Sequence, residues 1–511
     1  MSPLIAQPLL VLLTLLIGWA ALWPIRRQLG ATGYHLSAFV AGVLGWSFGA
    51  IVSSLTGRPL DAISALGGVA LFCGVVWWIA RRSFVDVDVL EDRTVGWQTF
   101  AVAAGLTGGL SGLIAITRFT IASSDSYAGV WPMSIALARD GALTADLLAT
   151  RGVTTLAVGA GQIMVGGGWM YVFYPMLAAA LLGMLALLIW EGSPAGTSAR
   201  VKVSVIVAIT VLSLIDPTFF YHSLYVHSHM LSALFLLTAV GAIHLARDAD
   251  TAAARSWLMV SGLATAGLVL TRPDGLAYAF VPVAVALAYL TTSDEPRPLN
   301  VGAFYLALLI PVGATFGAGI VETGLWEHSK LSATTALAMI ALLGVTMFVP
   351  SIVRAVRTRL RLRWVPSGTR LLPALTGAAL ALIALAWLLG PEAFTVAAEN
   401  GYANLTVDGG WGPFWFMVAG FMVASTASGD ALGWRVRTRE LFLTIVLFLE
   451  IVALVHGTSH SGRLGAGDSL NRVMFHLVPL VLLYMGWVLA RVGSELMPAA
   501  GAGRHSTGRR R

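Results

Sequence analysis

Charged residues are scarce in this sequence: Asp, Glu, Lys and Arg make up 11% of its 511 residues, while hydrophobic residues make up 57%. Soluble globular domains carry about 25% charged residues. The mean hydropathy is +0.81, and apolar segments follow one another along the chain, leaving no stretch long enough for a soluble domain. The composition therefore predicts an all-α polytopic membrane protein.

Cysteine and the common catalytic motifs are also nearly absent. The single cysteine, Cys73, lies within an apolar segment, which excludes a disulfide framework and a metal–thiolate site. The sequence contains no GxxxxGK[ST], CxxC, HExxH or GxSxG motif. ATP hydrolysis, thiol–disulfide exchange, zincin proteolysis and serine hydrolysis therefore lack their signatures.

The apolar segments predict about fifteen transmembrane helices, since a helix needs about 20 apolar residues to cross the hydrocarbon layer. These segments are 4–24, 33–54, 63–80, 97–118, 171–190, 201–219, 230–246, 256–271, 275–292, 301–322, 333–353, 370–390, 413–428, 440–457 and 475–492.

Basic residues divide unequally between the two sets of alternating loops, with 24 of the 32 Lys and Arg residues in one set. The positive-inside rule then places the N-terminus outside and the C-terminus in the cytoplasm of a multi-pass plasma-membrane protein. The basic runs at 354–370 and 504–511 fit contact with anionic lipid better than contact with nucleic acid. Eight basic residues remain on the outer face, where the long polar loops also lie.

The first outer loop, 119–170, contains the stretch SSDSYAGVWPMSIALARDG. After Asp125, the spacing of apolar residues predicts an amphipathic helix that lies along the membrane surface. Asp125 is a candidate catalytic carboxylate. The alternative is that Asp125 is only the N-cap of this helix, because Asp is a favoured capping residue.

A second cluster precedes the last apolar segment, in the outer loop 457–474. Its sequence GRLGAGDSLNR brings together Arg463, Asp468 and Arg472. Arginine suits phosphate binding because its planar guanidinium group donates two parallel hydrogen bonds. The alternative is a structural salt bridge of either arginine with Asp468, or contact of the arginines with lipid headgroups.

Two further outer segments contain polar candidates. The hairpin TRPDG provides Arg272 and Asp274, which are either functional or merely part of a turn rich in Pro and Gly. The stretch YHSLYVHSHM contains His222, His227 and His229. Its spacing alone does not complete a metal site, and interfacial aromatic contacts are the alternative.

Together these motifs resemble the membrane glycosyltransferases of the GT-C superfold, of the polyprenyl-phosphate-sugar-dependent type. The resemblance rests on SDSY and SIALARDG in the first outer loop, MYVFYPML with Tyr174, TRPDG, and the late SGRLGAGDSLNRVMFHLVPL. It implies three regions: an N-terminal three-helix extension at 1–96, a GT-C-like core at 97–390, and C-terminal helices with the phosphate-binding loop and a basic tail at 391–511.

The resemblance implies transfer of a sugar from a polyprenyl-phosphate donor to a lipid, glycan or protein acceptor. Asp125 would be the base, with its pKa raised by burial, and Arg463 and Arg472 would bind the donor phosphate. A divalent cation, Mg²⁺ or Mn²⁺, remains an option, although Ser126 replaces the second acid usual in the family. The other substrate-binding candidates are Asp468, Tyr127, Tyr174, Arg272, Asp274 and His229.

Three other functions compete with this one. A transporter or flippase of a lipid-linked glycan explains the many helices but requires a polar pathway, and Glu450 is the main acid within an apolar segment. A noncatalytic scaffold predicts that Asp125 is dispensable. An acyl or phosphoryl transferase requires a nucleophile such as His222, His227 or His229.

Overall fold

The structure is a computed structural model, and it describes residues 2–83, 96–117, 125–166, 168–291, 298–359, 368–428, 436–457 and 469–496. Within these ranges the regular structure is helical and contains no β-strand. This outcome follows from the apolar segments, because backbone groups in lipid must be satisfied within the segment itself.

The described residues form twenty-one α-helices. The first eleven are α1 (Pro3–Leu22), α2 (Arg26–Thr56), α3 (Ala62–Ser83), α4 (Trp97–Thr117), α5 (Trp131–Asp140), α6 (Val153–Met164), α7 (Phe173–Gly192), α8 (Ala199–Ile215), α9 (Pro217–Leu224), α10 (Ser228–Asp248) and α11 (Thr251–Thr271). The others are α12 (Gly275–Tyr278), α13 (Phe280–Leu290), α14 (Pro298–Thr323), α15 (Ala333–Thr346), α16 (Val349–Arg359), α17 (Leu371–Leu389), α18 (Pro391–Ala403), α19 (Phe414–Ala427), α20 (Val436–Gly457) and α21 (Ser469–Leu496).

A helix covers most of each of the fifteen predicted segments. In the described ranges, ten continuous helical stretches are long and apolar enough to cross a membrane, or up to twelve if each of two bent pairs counts as one span. Those pairs are α8 with α9, bent by 78°, and α15 with α16, bent by 40°. The protein is therefore a multi-pass membrane protein, and the number fifteen stays a prediction.

The stretch Leu4–Thr56 contains α1 and α2, which turn back on each other at Gly30 (φ 68°, ψ 169°). Two close contacts show the antiparallel packing. A Cβ atom on Gly18 would lie 1.6 Å from the carbonyl oxygen of Ala38, and one on Gly42 would lie 1.8 Å from that of Thr14. Backbone contact this close requires glycine.

Changing Gly42 to Ala is therefore expected to destabilise the α1–α2 hairpin by about 2 kcal/mol, because overpacking forces the two backbones apart. The matched control is Gly74→Ala in α3, where an added Cβ meets nothing within 4 Å. The thermal unfolding midpoint in detergent should fall for Gly42→Ala alone. An equal shift in both variants would contradict this packing.

The centre of the bundle is formed by α10 and α11, whose apolar stretches are entirely buried, and α21 packs against α10. In contrast, α4 and α17 lie at the periphery with mostly exposed side chains. The predicted N-terminal extension packs into the same continuous core, since α2 contacts α11 and α14. The division at residue 97 stays a prediction.

When successive loops are assigned to alternate sides of the membrane, the contacts at each end of the bundle join segments of the same side. One end carries the hydrogen bonds Gln7–Trp169, Ser126–Val226, Thr155–Thr271 and Asn471–Gly409. The other end carries the contacts Ser83–Arg255, Arg247–Glu440 and Asp248–Arg437. The sorting of loops into two sets is thereby supported.

The region 119–170 differs from the predicted polar loop. It contains α6, in which every residue from Val153 to Gln162 is buried. This helix packs against α2, where the hydroxyls of Ser47 and Thr154 lie 2.9 Å apart. Its apolar run is only 12 residues long, too short for the length expected of a membrane span, which is why the sequence did not predict it.

Candidate functional site

Asp125 lies directly before a π-helical turn, Ser126–Val130, which leads into α5. The predicted helix is thus present, and its residues Val130, Ser134 and Leu137 are buried. The Ser126 hydroxyl donates a hydrogen bond of 2.8 Å to the carbonyl oxygen of Val226. This bond connects the start of the helix to the segment between α9 and α10 and fixes the position of Asp125.

The Asp125 carboxylate makes no capping hydrogen bond, although it occupies the N-cap position. The interpretation that it is only a helix cap is therefore wrong. Its oxygens instead face two arginines from other parts of the chain. Arg472 Nη1 donates to Oδ2 over 2.5 Å, and Arg151 Nη2 lies 3.5 Å from Oδ1.

The two arginines are held by different elements. Arg472 lies in the first turn of α21 and also reaches the Tyr225 hydroxyl at 3.5 Å. Arg151 ends a second π-helical turn, Leu147–Arg151, and packs on Gly129. A Cβ atom on Gly129 would lie 2.5 Å from Arg151 Nη2, so glycine leaves the room that the guanidinium group occupies. Three distant segments therefore form one charged cluster.

The electrostatics of Asp125 differ from the prediction. Burial of the carboxyl group opposes its ionisation, but the hydrogen bond and charge of Arg472, together with the charge of Arg151, outweigh that effect. The net result is a pKa of Asp125 below its usual value, not above it. The expectation of a raised pKa was wrong because it considered burial without the neighbouring cations. Asp125 is therefore ionised at neutral pH.

Arg272 and Asp274 form a bidentate ion pair at the end of α11. Arg272 Nε lies 2.7 Å from Asp274 Oδ1, and Nη2 lies 3.0 Å from Oδ2. The Arg272 charge holds the pKa of Asp274 below its usual value, against the opposing effect of burial. Arg272 Nη1 also lies 3.1 Å from His229 Nε2 and 3.4 Å from the Ser228 hydroxyl. The pair therefore connects the turn to α10 and is not merely a local feature of the turn.

Buried imidazole rings extend from the arginines into the bundle. The ring of His227 stacks on Tyr225 and on His229, with centroid distances of 5.4 Å and 4.4 Å. His229 Nδ1 in turn lies 3.1 Å from His476 Nε2. Both ring nitrogens of His222, also buried, lack a hydrogen-bond partner among the described residues.

A further cation belongs to the same face. Lys330 lies in the connection between α14 and α15. Partial burial lowers its pKa, and the positive charges of Arg151 and Arg272 lower it further, while Asp125 and Asp274 act in the opposite direction. Around Asp125, the four cations Arg151, Arg272, Lys330 and Arg472 thus lie with only two carboxylates, Asp125 and Asp274. This local excess of positive charge favours an anionic ligand beside Asp125.

The two predicted aromatic residues have different environments. Tyr127 is 61% exposed and stacks on Trp169 at a centroid distance of 4.8 Å. Tyr174 is fully buried near the start of α7, and its hydroxyl has no hydrogen-bond partner among the described residues. Arg463 and Asp468 lie outside the described residues.

Three members of this cluster were not predicted from the sequence: Arg151, Tyr225 and His476. Arg151 was recognisable as one of the eight basic residues on the sparsely basic face. His476 lies in the apolar run of α21, and its position in the helix carried no signal of its contact with His229.

The described residues contain no group of three or more His, Cys, Asp or Glu side chains arranged to hold a metal ion. In addition, Asp125 already has two guanidinium groups within 3.5 Å. Their positive charge repels a divalent cation at this carboxylate, so the Asp125 cluster does not fit a Mg²⁺ or Mn²⁺ site.

The chain was compared with family models, curated proteins and solved structures, and none of them matches it. The resemblance to GT-C glycosyltransferases therefore rests on the sequence motifs, and the function must be inferred from the charged cluster around Asp125.

Proposed function

We propose that the protein is a glycosyltransferase that moves a sugar from a polyprenyl-phosphate donor to an acceptor hydroxyl on the outer face of the membrane. One observation carries this proposal: the ionised Asp125 lies between Arg472 and Arg151 at one end of a membrane-embedded bundle. A surface carboxylate beside two guanidinium groups provides a base next to a phosphate-binding site.

In the proposed reaction, the acceptor oxygen attacks the anomeric carbon of the donor sugar. The bond from that carbon to the phosphate oxygen breaks, and the electron pair leaves with polyprenyl phosphate. Asp125 takes the proton of the acceptor hydroxyl, while Arg472 and Arg151 stabilise the negative charge on the leaving phosphate. A single carboxylate is sufficient for one displacement, so the transfer is inverting.

The remaining candidates have supporting roles in this proposal. Arg272 is neutralised by Asp274, so we assign the pair to hydrogen bonding with sugar hydroxyls, beside His229. Arg463 and Asp468 stay proposed ligands of the donor. Tyr127 and Tyr174 stay proposed cleft aromatics, although the first is exposed and the second enclosed. We assign no step to a metal.

The proposal includes an orientation and an architecture. It places the Asp125 end outside the cell, because that end receives only eight of the 32 basic residues. It further includes fifteen crossings in a GT-C-like arrangement in the plasma membrane, with a lipid, glycan or protein as acceptor. Nucleotide sugars are confined to the cytoplasm, which explains the need for a lipid-linked donor.

A transporter or flippase of a lipid-linked glycan is the second candidate, and the buried stack of imidazoles favours it. However, His229 is the second residue of α10 and His476 the eighth of α21, so the stack ends near one face. Beyond His229, α10 continues with buried, mainly apolar residues. A polar pathway is thus less supported than a site at one face.

The test is release of polyprenyl phosphate by the purified protein, supplied with polyprenyl-phosphate sugars of several kinds and with membrane extract as acceptor. Transfer with inversion at the anomeric carbon is the expected result. Transport of a lipid-linked sugar across liposome membranes without any release of polyprenyl phosphate would contradict the glycosyltransferase function and support the transporter function.

A further inference from the structure

A cavity of about 1370 Å³ opens between α2, α4 and α7, at the end of the bundle opposite to Asp125. Its position follows from α10, which carries His229 at one end and the cavity-lining residue Asp248 at the other. A helix of 21 residues is about 30 Å long, at 1.5 Å per residue. The cavity is therefore separate from the candidate active site.

The cavity opens sideways onto the surface that faces lipid. Val102 and Leu106 of α4 line it, yet they are 61% and 70% exposed. On this peripheral helix, exposure means contact with the membrane interior and not with water. A ligand thus enters from the bilayer, between α4 and the rest of the bundle.

The lining is amphipathic along its length. Away from the end of the bundle it is apolar, formed by side chains such as Leu15, Phe39 and Met176. At the end of the bundle it is polar, with Gln28, Gln98, Glu191, Asp248, Asp250 and Arg437. Nearby, Trp190 lines the cavity and stacks under the Lys202 ammonium group at 5.0 Å. Trp at this level is typical of the membrane–water interface.

The dimensions correspond to one lipid of a single leaflet. Along α4 the cavity extends from Gln98 to Leu110, and along α7 from Glu191 to Met176. At 1.5 Å per residue, these stretches are roughly 18 Å and 22 Å long. Half of a bilayer, including its headgroups, is about 20–22 Å thick. The volume also exceeds the roughly 300–1,000 Å³ of pockets for small soluble ligands.

The polar end indicates the headgroup. Among the described lining residues three are acids, Glu191, Asp248 and Asp250, and one is an arginine, Arg437, which is already paired with Asp248. An excess of carboxylates attracts a cation and repels an additional anion. We propose that the cavity binds one phospholipid of this leaflet, with an ammonium headgroup against these acids.

The inference predicts that delipidated protein in detergent, given phosphatidylethanolamine, retains one lipid in native mass spectrometry. Phosphatidylglycerol should bind about fivefold less, as expected for loss of one partly exposed charge contact. Changing Glu191 to Gln should reduce this preference. Equal binding of both lipids, or stronger binding of phosphatidylglycerol, would overturn the headgroup assignment, and absence of any adduct would overturn the site.

Two substitutions locate the lipid. Ala103→Phe on α4 and Ala180→Phe on α7 fill the cavity from opposite walls, and each should reduce the adduct about tenfold, as for a ligand excluded by bulk. The matched control is Ala101→Phe, which is exposed on α4 and outside the cavity lining. Retention of the adduct in both folded cavity variants would place the lipid elsewhere. Because sugar transfer is not measured, this result is independent of the proposed function.

Discussion

Replacing Asp125 with Asn is expected to lower the rate of sugar transfer by about 10³–10⁴-fold, the upper range for removal of a general base. The amide cannot take the proton of the acceptor hydroxyl. Donor binding should persist or strengthen, because Arg472 and Arg151 then lose the carboxylate with which the donor phosphate competes. Release of polyprenyl phosphate and donor binding should be measured on the same preparations.

The matched control for this experiment is Asp146→Asn. Asp146 lies at the same end of the bundle, but its side chain is 75% exposed and its partner, His328, is 3.7 Å away. This variant should transfer sugar at the parent rate. If Asp125→Asn also retains the parent rate, the carboxylate is a structural partner of the two arginines and the proposed chemistry fails.

The helices could be predicted from the sequence because hydrophobic segments of sufficient length have few alternatives in lipid. The loops at each end could be sorted because basic residues follow a consistent bias. Neither rule reports on short buried helices. For this reason α6 was missed, although its residues Val153 to Gln162 are as deeply buried as those of α10.

The candidate site was only partly predictable. The sequence placed Asp125 and Arg472 on the same face, but 347 positions separate them and no periodic pattern reports their contact. Arg272 and Asp274 are two residues apart, and there the turn itself favours a local pair. Tyr225 and His476 join the cluster through the packing of α10 and α21. This packing cannot be predicted from a single sequence.

The pKa of Asp125 illustrates the same limit. Burial alone predicts a raised pKa, because an apolar environment disfavours the charged carboxylate. The lowering of the pKa depends on the arrangement of Arg472 and Arg151 around the two carboxylate oxygens. The sequence context indicates that the carboxyl group is desolvated, whereas its ion pairs become known only from the tertiary contacts.

Removing the guanidinium group of Arg472 is the second experiment with a large expected effect. Arg472→Gln should lower kcat/KM for the donor about 10²–10³-fold, as observed when one preorganised donor to a developing anion is removed. Arg472→Lys retains the positive charge but loses the planar fork, so its activity should lie between those of the parent and Arg472→Gln. Arg58→Gln, on an exposed pair with Asp61 at the same end, is the control.

The pH dependence of kcat/KM distinguishes a catalytic role of Arg472 from a purely structural one. Transfer requires ionised Asp125, and Arg472 lowers the pKa of that carboxyl group, so the parent should stay active to lower pH than an ordinary Asp allows. Without Arg472 the pKa rises, and the acid limb of the kcat/KM profile should move to higher pH. An unchanged acid limb, with activity merely reduced, would show that Arg472 and Asp125 are not coupled in catalysis.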